Sequence, residues 1–394
     1  MLHVFQGVTD FRKVGRVKYQ LENILCLYLL IAMRGQLTSF LNASMFIEIK
    51  ANYFVKLKLL DKKQIPSHDA LRRIFMNLDA NELHDVILNR IKELITKIVA
   101  YVPKRKKDGV RLHSGDGETF NGSDRNGENG KNNSNVFNLY DASSSLCLTS
   151  IPLDDKESEI PTFQSILRPF NIKNSMVTAD ALHCQRETAR IINNRGGLYC
   201  FKVKNNQPTF KEHLIQMINL NADKVVSTFY NNCDYKIYII DYKINDLDFP
   251  GAKAYIQIHS HKRTDQADYN PEPQYFVSSS KSIQLIMEAI DNRWDIESGL
   301  HGWKDDFLKE DECTFTDKNA IKVMAVFNNI TYALYRLASA IFDHECMAET
   351  RVRFDDCPEK MLSKLIPLTE KQNLTMLLKK SMRGYRKHAP DRAK

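Results

Sequence analysis

The chain has 394 residues, with 56 Lys and Arg against 48 Asp and Glu (formal net charge +8), 43% hydrophobic and 26% charged residues. That balance excludes a disordered or fibrous chain, and the length predicts two or three domains rather than one core. The longest apolar run, Ile24 to Met33, is shorter than the roughly 20 residues that cross a bilayer, and the start lacks a secretory pattern, so a cytoplasmic protein with no membrane partner is expected.

The first hundred residues carry helical periodicity. Leu21, Ile24, Leu25, Tyr28 and Leu29 share one face. Ser67 is placed to cap a helix whose apolar face is Leu71, Ile74 and Phe75, and Asp79 opens another with Leu83, Ile87, Ile91, Leu94 and Ile98 at helical spacing. Residues 1–102 therefore read as a helical N-terminal domain, either a DNA-binding module or a cap packed on the next domain. The basic stretch PKRKKDGVR (103–111) is the first domain boundary.

Beyond it the period changes. Residues 110–114 read as a strand leading to Asp116-Gly117, and the Gly- and Asn-rich 123–135 as an exposed loop. Strands are predicted at 136–141 and 146–153, a helix at 161–168, and a buried strand at 174–180 that ends in Asp180. A single helix is expected from Ala181 to the Gly196-Gly197 stop, then a strand at 198–203. Alternating strands and helices predict an α/β domain over 109–340. Within it, about 209–280 reads as a β-rich insertion or extension, and 282–340 is helical again. The remaining 341–394 forms a C-terminal helical and basic tail.

The eight cysteines are dispersed, with no Cys-x-x-Cys pair, which predicts reduced thiols and no structural zinc. Cys184 reads as a packed residue, and His259 with His261 lacks a third metal ligand at credible spacing. The acids are more informative. Asp116 and Asp180 each end a strand of an α/β sheet, where active sites lie. Oxygen ligands of this kind suit Mg²⁺. A third acid, Glu297, falls on a predicted helix whose one face would carry Arg293, Glu297, His301 and Lys304 at i, i+4, i+8 and i+11. That face could hold a metal and phosphates, or be a solvated face laced with ion pairs.

These residues carry a resemblance to the DDE transposases of bacterial insertion sequences, in the group of the H-repeat-associated proteins. The family's Asp-Gly-Lys-Thr-x-x-Gly-Ser resembles Asp116-Gly117-Glu118-Thr119-Phe120-Asn121-Gly122-Ser123, and its Thr-x-Asp-Ala-x-x-Cys-Gln is intact as Thr178 to Gln185. Its Lys-x-Asn-Gln-Pro matches Lys204 to Pro208, its Trp-x-Ile-Glu-x-x-Leu-His matches Trp294 to His301, and its Glu-Asp matches Glu310-Asp311. Arg293, Glu297 and Lys304 fit the broader Tyr-(2)-Arg-(3)-Glu-(6)-Lys signature. The resemblance spans roughly residues 8 to 340.

It implies an RNase H-like core with Asp116, Asp180 and Glu297 as the catalytic, metal-holding triad. Two Mg²⁺ ions, with Mn²⁺ as a substitute, would lie about 3.5–4 Å apart. Arg293, Lys304, Lys204, Asn206, Gln207 and His301 would contact DNA, although loop capping explains Lys204 and the two amides equally well. The implied partners are double-stranded DNA (terminal inverted repeats and target) and further copies of the chain in synapsis. The setting would be a bacterial, nucleoid-associated one. Departures from the family pattern are Glu118 for Lys, Asn121 for Arg, Ile290 for Tyr, and a Trp displaced to 303. They motivate the alternative of a degenerate or domesticated transposase-derived DNA-binding protein that no longer cuts.

Overall fold

A computed structural model describes residues 5–13, 15, 17–61, 64–87, 109–120, 134–142, 146–153, 158–240, 249–260 and 272–365. The expected basic boundary at 103–108, most of the polar loop, the second half of the helix from Asp79, and the basic end beyond 365 lie outside them. So do Asn121 and His261.

The N-terminal helices are α1 (Leu21–Ala32), α2 (Phe40–Ile49), α3 (Ala51–Lys56), α4 (His68–Asn77) and α5 (residues 80–87). The sequence LENILCLYLLIA is apolar nearly all round, and α1 is correspondingly buried on all sides. The side chains of Ser39 and Ser67 accept from the backbone N–H of Asn42 and Ala70, capping α2 and α4.

These helices have no core of their own. Tyr28, Phe75 and their neighbours form one apolar cluster with the long helix α10 (Lys318–Phe342), Tyr140 of the sheet, and α11 (Met347–Phe354) and α12 (Pro358–Leu365) from the predicted tail. Gly35 marks how close the approach is. Its φ is +65°, and an added Cβ would stand 2.4 Å from the Phe307 carbonyl oxygen. Gly35→Ala should therefore destabilise the fold by on the order of 1–3 kcal/mol, read as a lowered midpoint in urea. An unchanged midpoint would show that this junction yields at no cost.

One mixed sheet runs β3-β2-β1-β4-β5-β9-β8-β7-β6. Its strands are β1 (Arg111–Phe120), β2 (Ser134–Asp141), β3 (Leu146–Leu153), β4 (Ser175–Ala179), β5 (Leu198–Val203), β6 (Val225–Tyr230), β7 (Cys233–Ile239), β8 (Ala254–Ser260) and β9 (Gln274–Ser278). β1, β2 and β3 pair antiparallel, whereas β1–β4 and β4–β5 are parallel. Successive residues of the central strands face opposite layers. Val177, Tyr199 and Phe201 pack on α6 (Glu159–Leu167), α7 (Arg186–Asn194) and α8 (Pro208–Leu220). Met176 and Cys200 pack on α9 (Ile283–Trp294). The α/β class read from the sequence is thus the observed one.

Two local expectations change. The single helix expected from Ala181 is a short turn, Ala181–His183, followed by α7, because the Asp180 carboxylate accepts from the Leu182 N–H and ends the chain's extended run there. Moreover, helix α8 stands where the β-rich segment was expected to begin, and from β6 onward that segment extends the main sheet through β9, β8, β7 and β6, the extension that the sequence allowed.

Candidate active site

Register brings the first two acids together. Gly115 of β1 pairs with Ala179 of the parallel neighbour β4, so Asp116 and Asp180 are the next residues on adjacent strands. The third acid arrives from the far side of the sheet. After α9 the chain widens into π turns at Asp295–His301 and Lys304–Leu308. The expected face at 3.6-residue spacing is therefore rebuilt, a departure from α-helical geometry that recurs at functional sites. Arg293 still reaches Glu297, with Nη1 donating to Oε1 at 2.8 Å, its own side chain nearly buried.

The electrostatics record the convergence. Burial raises the Asp116 pKa to about 8, reinforced by the negative charges of Glu297, Asp180 and Glu159 and opposed by Arg293. These donors are all carboxylate oxygens, the set that hard divalent cations such as Mg²⁺ take. The acids crowd closer than they would favour without a compensating charge. The residue types present therefore suit a divalent ion, and Asp116, Asp180 and Glu297 are the candidates to hold it.

The same crowding makes stability depend on pH. The folded Asp116 keeps its proton up to about pH 8, whereas an ordinary Asp releases it near 3.8. The folded, metal-free chain therefore binds more protons between those values, and its stability falls as pH rises through them. His301 acts in the opposite sense below 6.5, because burial and then the Lys304 charge depress its pKa to about 3 and keep it neutral. Glu310 and Asp305, raised by burial and neighbouring acids to about 7, add to the fall below that pH, so the window that isolates Asp116 is pH 7 to 8. There the unfolding free energy of the metal-free protein, followed through its Tm, should fall with rising pH by at most about 1.4 kcal/mol per unit from Asp116, and Asp116→Asn should flatten the slope. An equal slope in that variant would assign the dependence elsewhere.

His301 and Lys304 do not lie as the predicted helical face had them. His301 Nδ1 is 3.7 Å from Asp116 Oδ2, and its Nε2 is 3.1 Å from the Asn138 amide nitrogen. Lys304 is 1% exposed and donates to Glu118 Oε2 at 2.6 Å, with Glu310 Oε2 at 2.7 Å. Burial disfavours its charge, yet Glu118 and Glu310 outweigh that and raise its pKa. The expectation that Lys304 meets DNA phosphate is corrected: two buried carboxylates already take its ammonium, and no face of it is open to solvent.

Glu118 belongs to a connected polar network. Asn138 Nδ2 donates to it at 2.8 Å, Ser150 donates to Asn138 Oδ1, Asn329 Nδ2 donates to Ser150 at 2.6 Å, and Asn328 Nδ2 donates to Glu310 at 3.1 Å. Glu118, Asp305 and Glu310 form an acidic group of metal-binding size, but the Lys304 ammonium already lies between Glu118 and Glu310 and offsets one of their charges. Glu118 thus turns its charge into the core rather than toward incoming phosphate.

Of the two roles expected for the amides, loop capping is visible: both hold the Asp180 turn. Asn206 Nδ2 donates to the Ala181 carbonyl at 2.8 Å, and Gln207 Nε2 donates to that of Cys184. Lys204 is exposed beside them, and Ile290 is buried against the sheet in the place of the signature's Tyr. Cys184 is buried, and burial raises its pKa to about 12, which suits a packed residue and not a nucleophile.

Three residues near the triad carry no distinguishing signal in the sequence. Lys202 of β5 has its pKa lowered to about 8 by burial and then by Arg293 and Lys204, while Glu297 and Asp180 oppose the shift. Glu159 and His183 form a pair, Nε2 to Oε1, at 2.9 Å. Glu159 stands among the acids of DDKESE with nothing local to mark it out; only proximity does so.

Comparison with known proteins agrees with this geometry. Residues 107–334 match the family model described as "Transposase DDE domain", and residues 2–90 match the one described as "DDE_Tnp_1-associated". Among curated proteins of Escherichia coli (strain K12), YbfL is 25% identical over 82% of this chain and 86% of its own length. The "H repeat-associated putative transposase YhhI" has the same identity and coverage. A piggyBac transposase synaptic complex with hairpin DNA aligns at 10% identity and a TM-score of 0.43, covering 96% of this chain and 76% of that one; this is too loose a likeness to bear on function. Among the described residues, no helix is long and apolar enough to cross a membrane.

Proposed function

Because the chain belongs to the transposase DDE-domain family, we propose that it cuts phosphodiester bonds at the ends of an insertion sequence and joins the freed 3′-OH to target DNA. The observation that carries this reading is the placing of Asp116 and Asp180 at adjacent parallel strands, with Glu297 near enough for its charge to act on Asp116. The strand order β3-β2-β1-β4-β5, with β1 parallel to β4, supports an RNase H-like core.

Divalent ions, Mg²⁺ or Mn²⁺, would supply charge stabilisation at the attacking and leaving oxygens. The rest falls to the chain's own groups. Asp116 would give up its proton to hold a cation, which would offset both the burial and the neighbouring charges that raise its pKa. Arg293 fixes the Glu297 carboxylate by its charged hydrogen bond. Lys202, whose ammonium donates to Gln274 Oε1 at 2.7 Å, lies near enough to Glu297 and Asp180 to feel their charges and would be a cation for a phosphate there. The Lys304 network ties the strand carrying Asp116 and Glu118 to the turns that come after Glu297, so both halves of the triad rest on one buried scaffold.

A DNA-binding derivative that no longer cuts is the second reading, favoured by Ile290 in place of Tyr. Glu118 does not favour it, since its charge is matched by Lys304. The test uses the full-length chain on duplexes carrying the DNA that flanks its own gene. Mg²⁺- or Mn²⁺-dependent nicking at inverted repeats, and synapsis of two ends by more than one copy, is expected. Tight binding to those repeats without nicking across a metal series would select the second reading.

A further inference from the structure

A directional chain of hydrogen bonds runs from the buried ion pair to the first catalytic acid. Lys304 Nζ lies 2.6 Å from Glu118 Oε2 and pairs with it as an anion. An ionised carboxylate only accepts, so the end of Asn138 that faces it at 2.8 Å is the amide nitrogen. The other end of that side chain agrees. Asn138 Oδ1 accepts from the Ser150 hydroxyl, whose oxygen in turn accepts from Asn329 Nδ2 at 2.6 Å. Asn138 is fully buried, and turning it over would set its carbonyl oxygen against the Glu118 carboxylate.

The same amide nitrogen stands 3.1 Å from His301 Nε2. An amide nitrogen only donates, so Nε2 accepts and carries no hydrogen. The ring hydrogen is then on Nδ1, the atom that faces Asp116 Oδ2 at 3.7 Å. That separation is longer than a hydrogen bond; such contacts tighten once the acceptor is ionised and its ligand is in place. We propose that the Lys304–Glu118 ion pair, acting through Asn138, fixes His301 as the Nδ1–H tautomer, whose hydrogen steadies the Asp116 carboxylate when it holds a cation. His301 is thus a positioning residue that acts through Asp116. The tautomer follows from the hydrogen-bond chain alone, and its role rests on the reading of Asp116 as a cation-holding acid.

Heteronuclear NMR of the full-length chain, labelled at the histidine nitrogens, reads the tautomer, with His301→Gln identifying the signal. A hydrogen on Nδ1 and none on Nε2 is expected; a hydrogen on Nε2 overturns the proposal. Changing Glu118→Gln, Lys304→Met and Glu310→Gln together removes the anion that orients Asn138, so both tautomers should appear. The unmixed Nδ1–H form in that variant would overturn the part given to the ion pair. Mn²⁺ binding without DNA, followed by electron paramagnetic resonance, reads the effect on Asp116. The amide nitrogen of Asn falls near the place of an imidazole Nδ1, and that of Gln near Nε2. His301→Asn should therefore keep most of the affinity, whereas His301→Gln and His301→Leu should each lose about 10–100-fold. Equal affinities in the three variants overturn the role at Asp116. Asp116→Asn separates the two levels. If it abolishes Mn²⁺ binding while His301→Leu binds as wild type, only the positioning role fails. If it leaves binding intact, the reading of Asp116 fails and takes that role with it.

Discussion

Asp116→Asn, Asp180→Asn and Glu297→Gln are each expected to lower metal-dependent cleavage of the element ends by about 10³-fold or more. Each keeps the shape of the side chain and removes one negative oxygen from the buried group. Binding of the ends, read by mobility shift, should survive, because the triad meets the cations and not the length of the duplex. The same variants make a second, opposite forecast for stability. Asp116 is destabilised by burial and by the charges of Glu297, Asp180 and Glu159, so Asp116→Asn should raise the Tm of the metal-free protein near pH 8. A gain in stability with a loss of activity is the mark of a site selected for chemistry. Cleavage at the wild-type rate by any one variant would remove that residue from the triad.

Lys304→Met carries the largest expected stability effect. The substitution leaves Glu118 and Glu310 buried without their shared cation, and removing one partner of a buried ion pair costs about 3–5 kcal/mol. Protonation limits the damage only in part. Burial and then Glu118 already raise the Glu310 pKa to about 7, so the loss should shrink at low pH. The triple change Glu118→Gln, Lys304→Met and Glu310→Gln should recover most of the stability, because no uncompensated charge then remains. Urea unfolding of the single and triple variants at pH 6 and pH 8 measures this. A single variant as stable as wild type would mean that the two carboxylates do not hold Lys304, and would reopen its assignment to DNA.

The network also explains why departures from a family pattern can be misread one residue at a time. Glu118 for Lys looks like a reversed field beside the first catalytic acid. In the fold it faces Lys304, 186 positions away in sequence, at 2.6 Å. The local change is offset by a cation that only tertiary structure brings near.

Much of the fold is legible in the sequence. Strands β3 and β5 fall on the predicted residues because short β-rich runs bounded by turn signals leave few alternatives. The caps at Ser39 and Ser67 obey local chemistry, and Ser67 is the one that the sequence places. Caps and turns depend on near neighbours along the chain. The 295–308 stretch is harder, since its apolar and charged positions read as a 3.6-residue period and the chain instead widens into π turns. That widening redirects His301 toward Asp116 and Lys304 into the core, away from one shared outer face.

By itself, the sequence determined the α/β class, the family, and the order in which Asp116, Asp180 and Glu297 occur along the chain, because periodicity and motif spacing are local properties. Tertiary structure alone decided that the N-terminal helices share their core with α10 and that the β-rich segment lengthens the main sheet. It also decided that Lys304 is an internal counter-ion and that Glu159 stands beside the triad. Each of these turns on which charges and apolar faces meet across long stretches of chain, and a charge acquires its role from the partner it meets at a few ångströms.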